Sequence, residues 1–278
     1  MGIETIFSKE QLALYPKINA KVLSEEEGLK RAFNIDYSYD MSDNAYYFFP
    51  MLFFNTKMNL PESELIEFIS AGVMYYEYVI AFDRKFDTQS SCDIGALFYH
   101  SMLSQRSIEK LSNLFGDKSD LYFEYMHRYA LEYIEAIIIE KTQPDYYNDI
   151  ELRKKVLMGK SAVAKCFSTG VAILSNQNDE IAIIDEFQDY FNFAYQLFDD
   201  FKDIKEDIKS NKRTWVNSDC FDAKDNKVYE QLFYSGKLFD VFKQIVYYCN
   251  KSISLAGKYP TWIKNVRCFL EKVIVLRM

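Results

Sequence analysis

The chain has 278 residues, 49% of them hydrophobic and 27% charged, enough to bury one large core or two modest ones. With only 9 Gly and 5 Pro it lacks the turn and phosphate-loop residues that an all-β sandwich or a Rossmann-type enzyme of this size would need, and it is neither disordered nor collagen-like. Lys and Arg number 33 against 41 Asp and Glu, a net charge of −8, which argues against nucleic acid or an anionic membrane surface as the main partner.

Residues 1–58 are weakly periodic, with a helix expected around 24–33 and an aromatic stretch at 45–54. From about residue 60 onward, apolar side chains recur at i, i+3 and i+4 in long segments parted by short polar breaks, the pattern of a bundle of long helices. Asn59-Leu60-Pro61-Glu62 opens one of them with Pro in its first turn, and the next, from near Asp93, stops at Phe115-Gly116-Asp117. Ser119 caps a helix that reaches Gln143-Pro144. Further helices are expected from about Asp149 to Leu174, Asp179 to Ser210 and Lys227 to Ala256, with a short last one after Pro260. No Asn-Gly or Asp-Gly hairpin signal, internal repeat or linker occurs, so the expected fold is all-α, a single domain over residues 1–278.

Cys92, Cys166, Cys220, Cys249 and Cys268 are widely spaced and form no C-x-x-C pair, so neither a disulfide framework nor a zinc cluster is expected, and a cytoplasmic location is. The N-terminal MGIETIFSKEQ has no basic or apolar leader, and no uncharged apolar run approaches the ~18 residues of a membrane span, so no stable membrane insertion is expected. Aromatic residues make up 17% of the chain, beyond what packing alone requires.

Two histidines, His100 and His127, leave little room for a Ser-His-Asp triad, and neither H-E-x-x-H nor G-x-S-x-G occurs. Gly159-Lys160-Ser161 has the ending of a P-loop without its earlier glycine or its strand. The chemistry left is that of carboxylates, cations and aromatic rings. Asp83 and Asp87 stand four apart and continue the apolar stripe Ile66, Ile69, Val73, Tyr76 and Ile80, which puts both on one helix face where they can hold a hard divalent cation. The competing expectation is a solvated pair, or one satisfied by a neighbouring lysine. A second cluster places Asp199, Asp203 and Asp207 on one face, with Asp200 between them; taken alone, a solvated polar face is the better account. Two acidic helix ends facing each other across a bundle would hold Mg²⁺ for a substrate with several phosphate oxygens. Arg153 and Lys160 lie two turns apart, suited to phosphate, and Lys212 and Arg213 follow the second cluster as loop cations; Arg153 and the loop pair are equally readable as surface charge.

At these residues the chain resembles the class I isoprenoid synthases: trans-prenyltransferases, squalene and phytoene synthases, and terpene cyclases. Phe193-Ala194-Tyr195-Gln196-Leu197-Phe198-Asp199-Asp200-Phe201-Lys202-Asp203 is similar to the F-Q-x-x-D-D-x-x-D motif of polyprenyl synthases, and its continuation through Asp207 to Arg213 resembles the D-x-x-E-D and G-R pattern of the squalene/phytoene branch. Gly159-Lys160-Ser161-Ala162 looks like the K-T-A helix whose lysine binds diphosphate, and Asp83 and Asp87 stand where the first acidic motif belongs. The resemblance covers roughly residues 60–215. It departs at the first motif, which is not D-D-x-x-D and is followed by Thr88-Gln89-Ser90-Ser91-Cys92 in place of paired arginines, which counts against chain elongation. The N-D-x-x-S-x-x-x-E motif of many microbial cyclases is missing as well.

The resemblance implies a helical bundle around a central cavity and a site in which Mg²⁺, three ions in this family, is held by Asp83, Asp87, Asp199, Asp200, Asp203 and Asp207. The metals and Lys160, with Arg153, Lys212, Arg213 and Gln196 as further contacts, would bind the diphosphate of an allylic substrate and neutralise it as it departs. Tyr76, Ile80 and Tyr195 are the first candidates to line the hydrocarbon pocket, where aromatic faces stabilise positive charge by about 0.5–2 kcal/mol each. The expected activity is a terpene synthase that ionises and cyclises a linear prenyl diphosphate, C20 favoured over C15. A prenyltransferase, including head-to-head coupling, is the alternative, and a catalytically silent helical subunit a third. Asp83, Asp87, Asp199 and Asp203 would carry catalysis. A homodimer is one assembly open to such a chain.

Overall fold

The structure is a computed structural model that describes residues 7, 9–35, 45–53, 56–88, 94–143, 145–221 and 227–275, without the side chains of 10, 45 and 83–88. Every regular element among these residues is helical. In chain order they are α1 (Lys9–Leu12), α2 (Tyr15–Phe33), α3 (Glu62–Thr88), α4 (Ile94–Phe115), α5 (Ser119–Thr142), α6 (Ile150–Gly159), α7 (Lys165–Leu174), α8 (Ile181–Lys202), α9 (Ile204–Lys209), α10 (Val228–Tyr234), α11 (Lys237–Leu255) and α12 (Pro260–Val275), with short 3₁₀ turns between several of them. By packing, residues 1–125 with 166–179 form one compact unit and residues 126–165 with 180–278 another.

In the first unit α3 is the core helix. The Pro61 carbonyl accepts its first hydrogen bond, from the Leu65 N–H at 3.0 Å, so the proline lies just ahead of the helix, where a missing N–H costs nothing. Two glycines set how closely α3 and α7 pack. A Cβ on Gly72 would come within 2.2 Å of Phe167 Cε1, and one on Gly170 within 2.2 Å of Phe68 Cζ, so each ring fills the gap left by the other helix's glycine. Burying such a ring is worth roughly 1.5–3 kcal/mol. The stretch 45–54 becomes a 3₁₀ helix, Ala45–Phe53, whose Tyr46 and Tyr47 rings pack on Tyr76. Tyr47 donates to the buried carboxylate of Glu77. By length and composition the segment Glu62–Phe82 could cross a membrane, but more than half of it is buried within the protein, as a core helix would be.

In the second unit α8 packs along α11, α6 lies on α8, and α12 on α11. The Phe191 ring meets Trp262 at 5.8 Å and Phe269 at 5.5 Å, and the buried Trp262 indole N–H donates to Ser252 Oγ at 3.0 Å. Three helices expected to be continuous are interrupted: after Gly159, at Asp203, and at Ser235-Gly236, where Gly236 takes φ 79°. At the first break the backbone comes into close contact with a neighbouring helix. A Cβ on Gly159 would meet Ala136 Cβ at 2.7 Å and the Glu132 carbonyl at 2.9 Å, so the end of α6 lies directly against α5. Glu132, Ala136 and Glu140, spaced by four, make that α5 face.

Candidate functional site

The second unit gathers five of the expected site residues around the end of α6: Lys160, Gln196, Asp200, Asp207 and Lys212. Lys160 closes α6, its N–H bonded to the Val156 carbonyl at 2.9 Å, and the next residue is held on α8 by Gln196 Nε2, which donates to Ser161 Oγ at 2.8 Å. With the backbone fixed at both ends, the Lys160 ammonium reaches Glu140 Oε1 at 3.0 Å. Lys212 arrives from the other side by a turn with its own logic. Asn211 adopts φ 61° after α9, so its N–H bonds to the Ile208 carbonyl at 3.1 Å and the Lys212 N–H to the Asp207 carbonyl at 2.8 Å. This helix cap folds Lys212 back until its ammonium stands 3.4 Å from Asp207 Oδ1. Asn217 Nδ2 donates to the Lys212 carbonyl at 2.9 Å and pins the loop.

Asp200, buried on α8, completes the cluster. Burial pushes its carboxyl up to about 7, although Lys160 and Lys212 both pull it down. Burial likewise raises Asp207 against the pull of Lys212, and Asp207 Oδ2 is buried without a hydrogen-bond partner among the described residues. Burial alone would raise Glu140, but Lys160 and Lys212 hold it below the usual carboxylate range. Lys160 in turn is drawn down by burial and lifted well above the lysine range by Glu140 and Asp200, so it keeps its proton.

Asp199 and Asp203 form an outer layer. Their side chains are 41% and 40% exposed, and the Lys202 ammonium bridges them at 3.0 and 3.6 Å. Burial raises Asp203 and the neighbouring Asp199 adds to it. The four-residue spacing therefore does not keep Asp199, Asp203 and Asp207 together: α8 ends at Lys202, and Asp207 turns inward to Lys212 while the other two share Lys202. Among the described residues no three His, Cys, Asp or Glu side chains form a ready metal cage. Mg²⁺ needs none, since it commonly takes one or two carboxylates and fills its shell with water and substrate phosphate. A solvent-accessible carboxylate pair that already bridges a cation fits such an ion.

The remaining expected residues divide. Arg153 is buried with its guanidinium on the Trp215 ring at 4.2 Å and donates to the Tyr147 carbonyl at 3.3 Å and to Gln244 Oε1 at 3.5 Å; burial lowers its pKa. It is engaged in packing and shares the nearby Tyr146 phenol with Lys160. Arg213 is exposed and covers the Phe221 ring at 4.4 Å. Tyr195 packs between Phe191 and Phe269, its phenol raised by burial and by Asp199 and Asp203. Tyr76 belongs to the first unit, against Tyr46, Tyr47 and Phe167, and Ile80 is half-buried one turn on. The side chains of Asp83 and Asp87 lie outside the described residues, which include only their helical backbone in α3.

Glu140 is absent from the sequence-derived site, and so is a second ionic group. Lys165, the first residue of α7, is buried with its ammonium on Glu132 and, at 3.0 Å, on Asp189, and 4.9 Å from the centre of the Tyr129 ring. The one signal for both lies in α5: Glu132 and Glu140 stand four residues either side of the small Ala136, and each receives a lysine from the segment that follows α5.

Comparison with known proteins bears on the fold. No family model matches the sequence, and a search of curated proteins finds no match. Solved structures do. The octaprenyl pyrophosphate synthase from Helicobacter pylori superposes with a TM-score of 0.72 at 15% identity, over 94% of this chain and 98% of that one. A geranylgeranyl pyrophosphate synthase gives 0.73 at 16% identity, over 94% and 96%. The geranylgeranyl pyrophosphate synthetase from Pyrococcus horikoshii Ot3 gives 0.64 at 12% identity, over 92% and 99%. The chain therefore has the all-α fold of the class I isoprenoid synthases.

Proposed function

We propose that the chain is a Mg²⁺-dependent enzyme acting on prenyl diphosphates, and that it transfers a prenyl group rather than cyclising one. The carrying observation is the half-open cluster in which Lys160 and Lys212 face Asp200, Asp207 and Glu140 beside the accessible pair Asp199 and Asp203. Two fixed ammonium groups flanked by carboxylates suit a diphosphate carried with its metal ions and suit few other small anions. Transfer takes precedence because the solved neighbours are an octaprenyl and two geranylgeranyl pyrophosphate synthases.

In this reading Lys160 and Lys212 bind diphosphate oxygens and take up charge as the leaving group departs. Asp199 and Asp203 would hold Mg²⁺, which would supply Lewis-acid neutralisation of the diphosphate. Gln196 holds the Lys160 backbone through Ser161, and Tyr195, buried against Phe191 and Phe269 beside Asp199, would back the apolar wall of the site. The aromatic ring disfavours water and favours positive charge. Cyclisation is the second reading, favoured by one observation: the residues after Asp87 offer no arginine pair for a second diphosphate.

The test incubates the protein and Mg²⁺ with C10, C15 and C20 allylic diphosphates, with and without the five-carbon homoallylic diphosphate. Elongated or coupled chains are expected. Cyclic hydrocarbons or alcohols formed without the co-substrate would move the assignment to cyclisation, and no diphosphate release from any substrate would remove the enzymatic reading.

A further inference from the structure

We infer that Glu140 is a positioning residue that makes diphosphate capture at Lys160 dependent on divalent cation, by occupying the lysine whenever metal is absent. The inference rests on the reading of Lys160 as a diphosphate contact. Its own basis is the geometry of α5. Gly159 brings the end of α6 against Ala136, and one turn further along α5 the Glu140 carboxylate meets the Lys160 ammonium at 3.0 Å. The pair is neither sealed nor free: the Lys160 side chain is 16% exposed and that of Glu140 is 9% exposed. An anion can reach the amine only by displacing or joining a carboxylate already there.

The charges nearby sharpen the point. In the cluster, Lys160 and Lys212 are faced by Glu140, Asp200 and Asp207, with Lys141 exposed at the margin, so each of the two inner ammonium groups already has a carboxyl group against it. A diphosphate arriving alone must compete with Glu140 for Lys160. One arriving with divalent cations carries its own compensation and can join the network, leaving Glu140 to aim Lys160 from behind. The carboxylate thus selects the metal-bound form of the ligand.

Calorimetric titration with inorganic pyrophosphate, in chelator and in Mg²⁺, tests this on the full chain. In Glu140→Gln, the metal-free affinity should rise about tenfold, the scale of one charge removed at close range in a partly solvated site, while the Mg²⁺-dependent affinity changes less. Glu140→Asp, which draws the carboxylate back from Lys160, should show a smaller rise and serves as the readout if the amide variant loses helicity. Adding Lys160→Ala to Glu140→Gln should erase the gain. Unchanged or weaker metal-free binding in both Glu140 variants overturns the inference, and so does a gain that survives loss of Lys160. If the wild-type chain fails to bind pyrophosphate even in Mg²⁺, the diphosphate reading falls and this inference with it.

Discussion

Lys160 and Lys165 lie five residues apart, both answered by a glutamate on the same face of α5, and they are doing different things. Lys165 is 3% exposed, clamped between Glu132 and Asp189 and packed near the Tyr129 ring. Lys160 has one carboxylate at bonding distance, keeps part of its surface open, and looks onto Asp200. The sealed lysine has no donor to offer a ligand, whereas the half-open one does. An ion pair buried in a helical bundle is thus not by itself a site; what matters is a donor left within reach of an incoming group.

The largest effect expected on the open side is on turnover. Under the proposed function, Asp199→Asn with Asp203→Asn removes the accessible pair bridged by Lys202 and should lower turnover by about 100-fold or more with helical content unchanged by circular dichroism. Wild-type turnover in that double variant would separate the outer carboxylates from the chemistry.

On the sealed side the expected effect is on stability. Lys165→Met strands Asp189 and leaves Glu132 to Arg128, and should cost about 3 kcal/mol in denaturant unfolding, whereas Lys160→Met should cost about 1 kcal/mol and weaken Mg²⁺-pyrophosphate binding instead. Equal losses of stability in the two variants would erase the distinction.

A finer contrast lies in pH. Burial raises Asp189 to about 6 against the pull of Lys165, and Asp200 to about 7. Both carboxyls hold their protons more tightly folded than unfolded, so the stability they contribute is complete below about 4, the unfolded value, and is lost as pH rises through 6 and 7. Glu140, held below its usual range, acts oppositely, and its contribution is lost as pH falls below about 4.5. Asp200→Asn should flatten the fall between pH 6 and 7 and leave the part near Asp189; urea midpoints measured across pH 4–8 check this, and an unaltered profile would contradict the placement of Asp200.

Much of this was legible in the sequence and some was not, for identifiable reasons. Pro61, Phe115-Gly116 and Pro260 mark helix ends because each alters the backbone locally, and helices begin or end there; α5, expected to reach Gln143, ends at Thr142. The break at Asp203 leaves no such mark, since the bonds from the Asp203 N–H to the Asp199 carbonyl and from the Asp207 N–H to the Asp203 carbonyl, both 2.9 Å, carry the helical spacing through the kink. In the cluster, Lys160, Lys212, Asp199, Asp200 and Asp203 stand out in the sequence because acidic and basic residue types recur along neighbouring positions. Glu140 was missed because it reaches Lys160 across two helices, and a contact between residues 20 apart leaves no periodic trace. Arg153 was legible as a cation, but its neighbour Trp215 comes from 62 residues further along, and only folding shows that the ring occupies it.

The most direct test is a crystal of the chain grown with Mg²⁺ and inorganic pyrophosphate. The account predicts diphosphate oxygens within hydrogen-bond distance of the Lys160 and Lys212 ammonium groups, and metal bound by Asp199 or Asp203. Pyrophosphate bound at other residues, with Lys160 still closed on Glu140 alone, would contradict it.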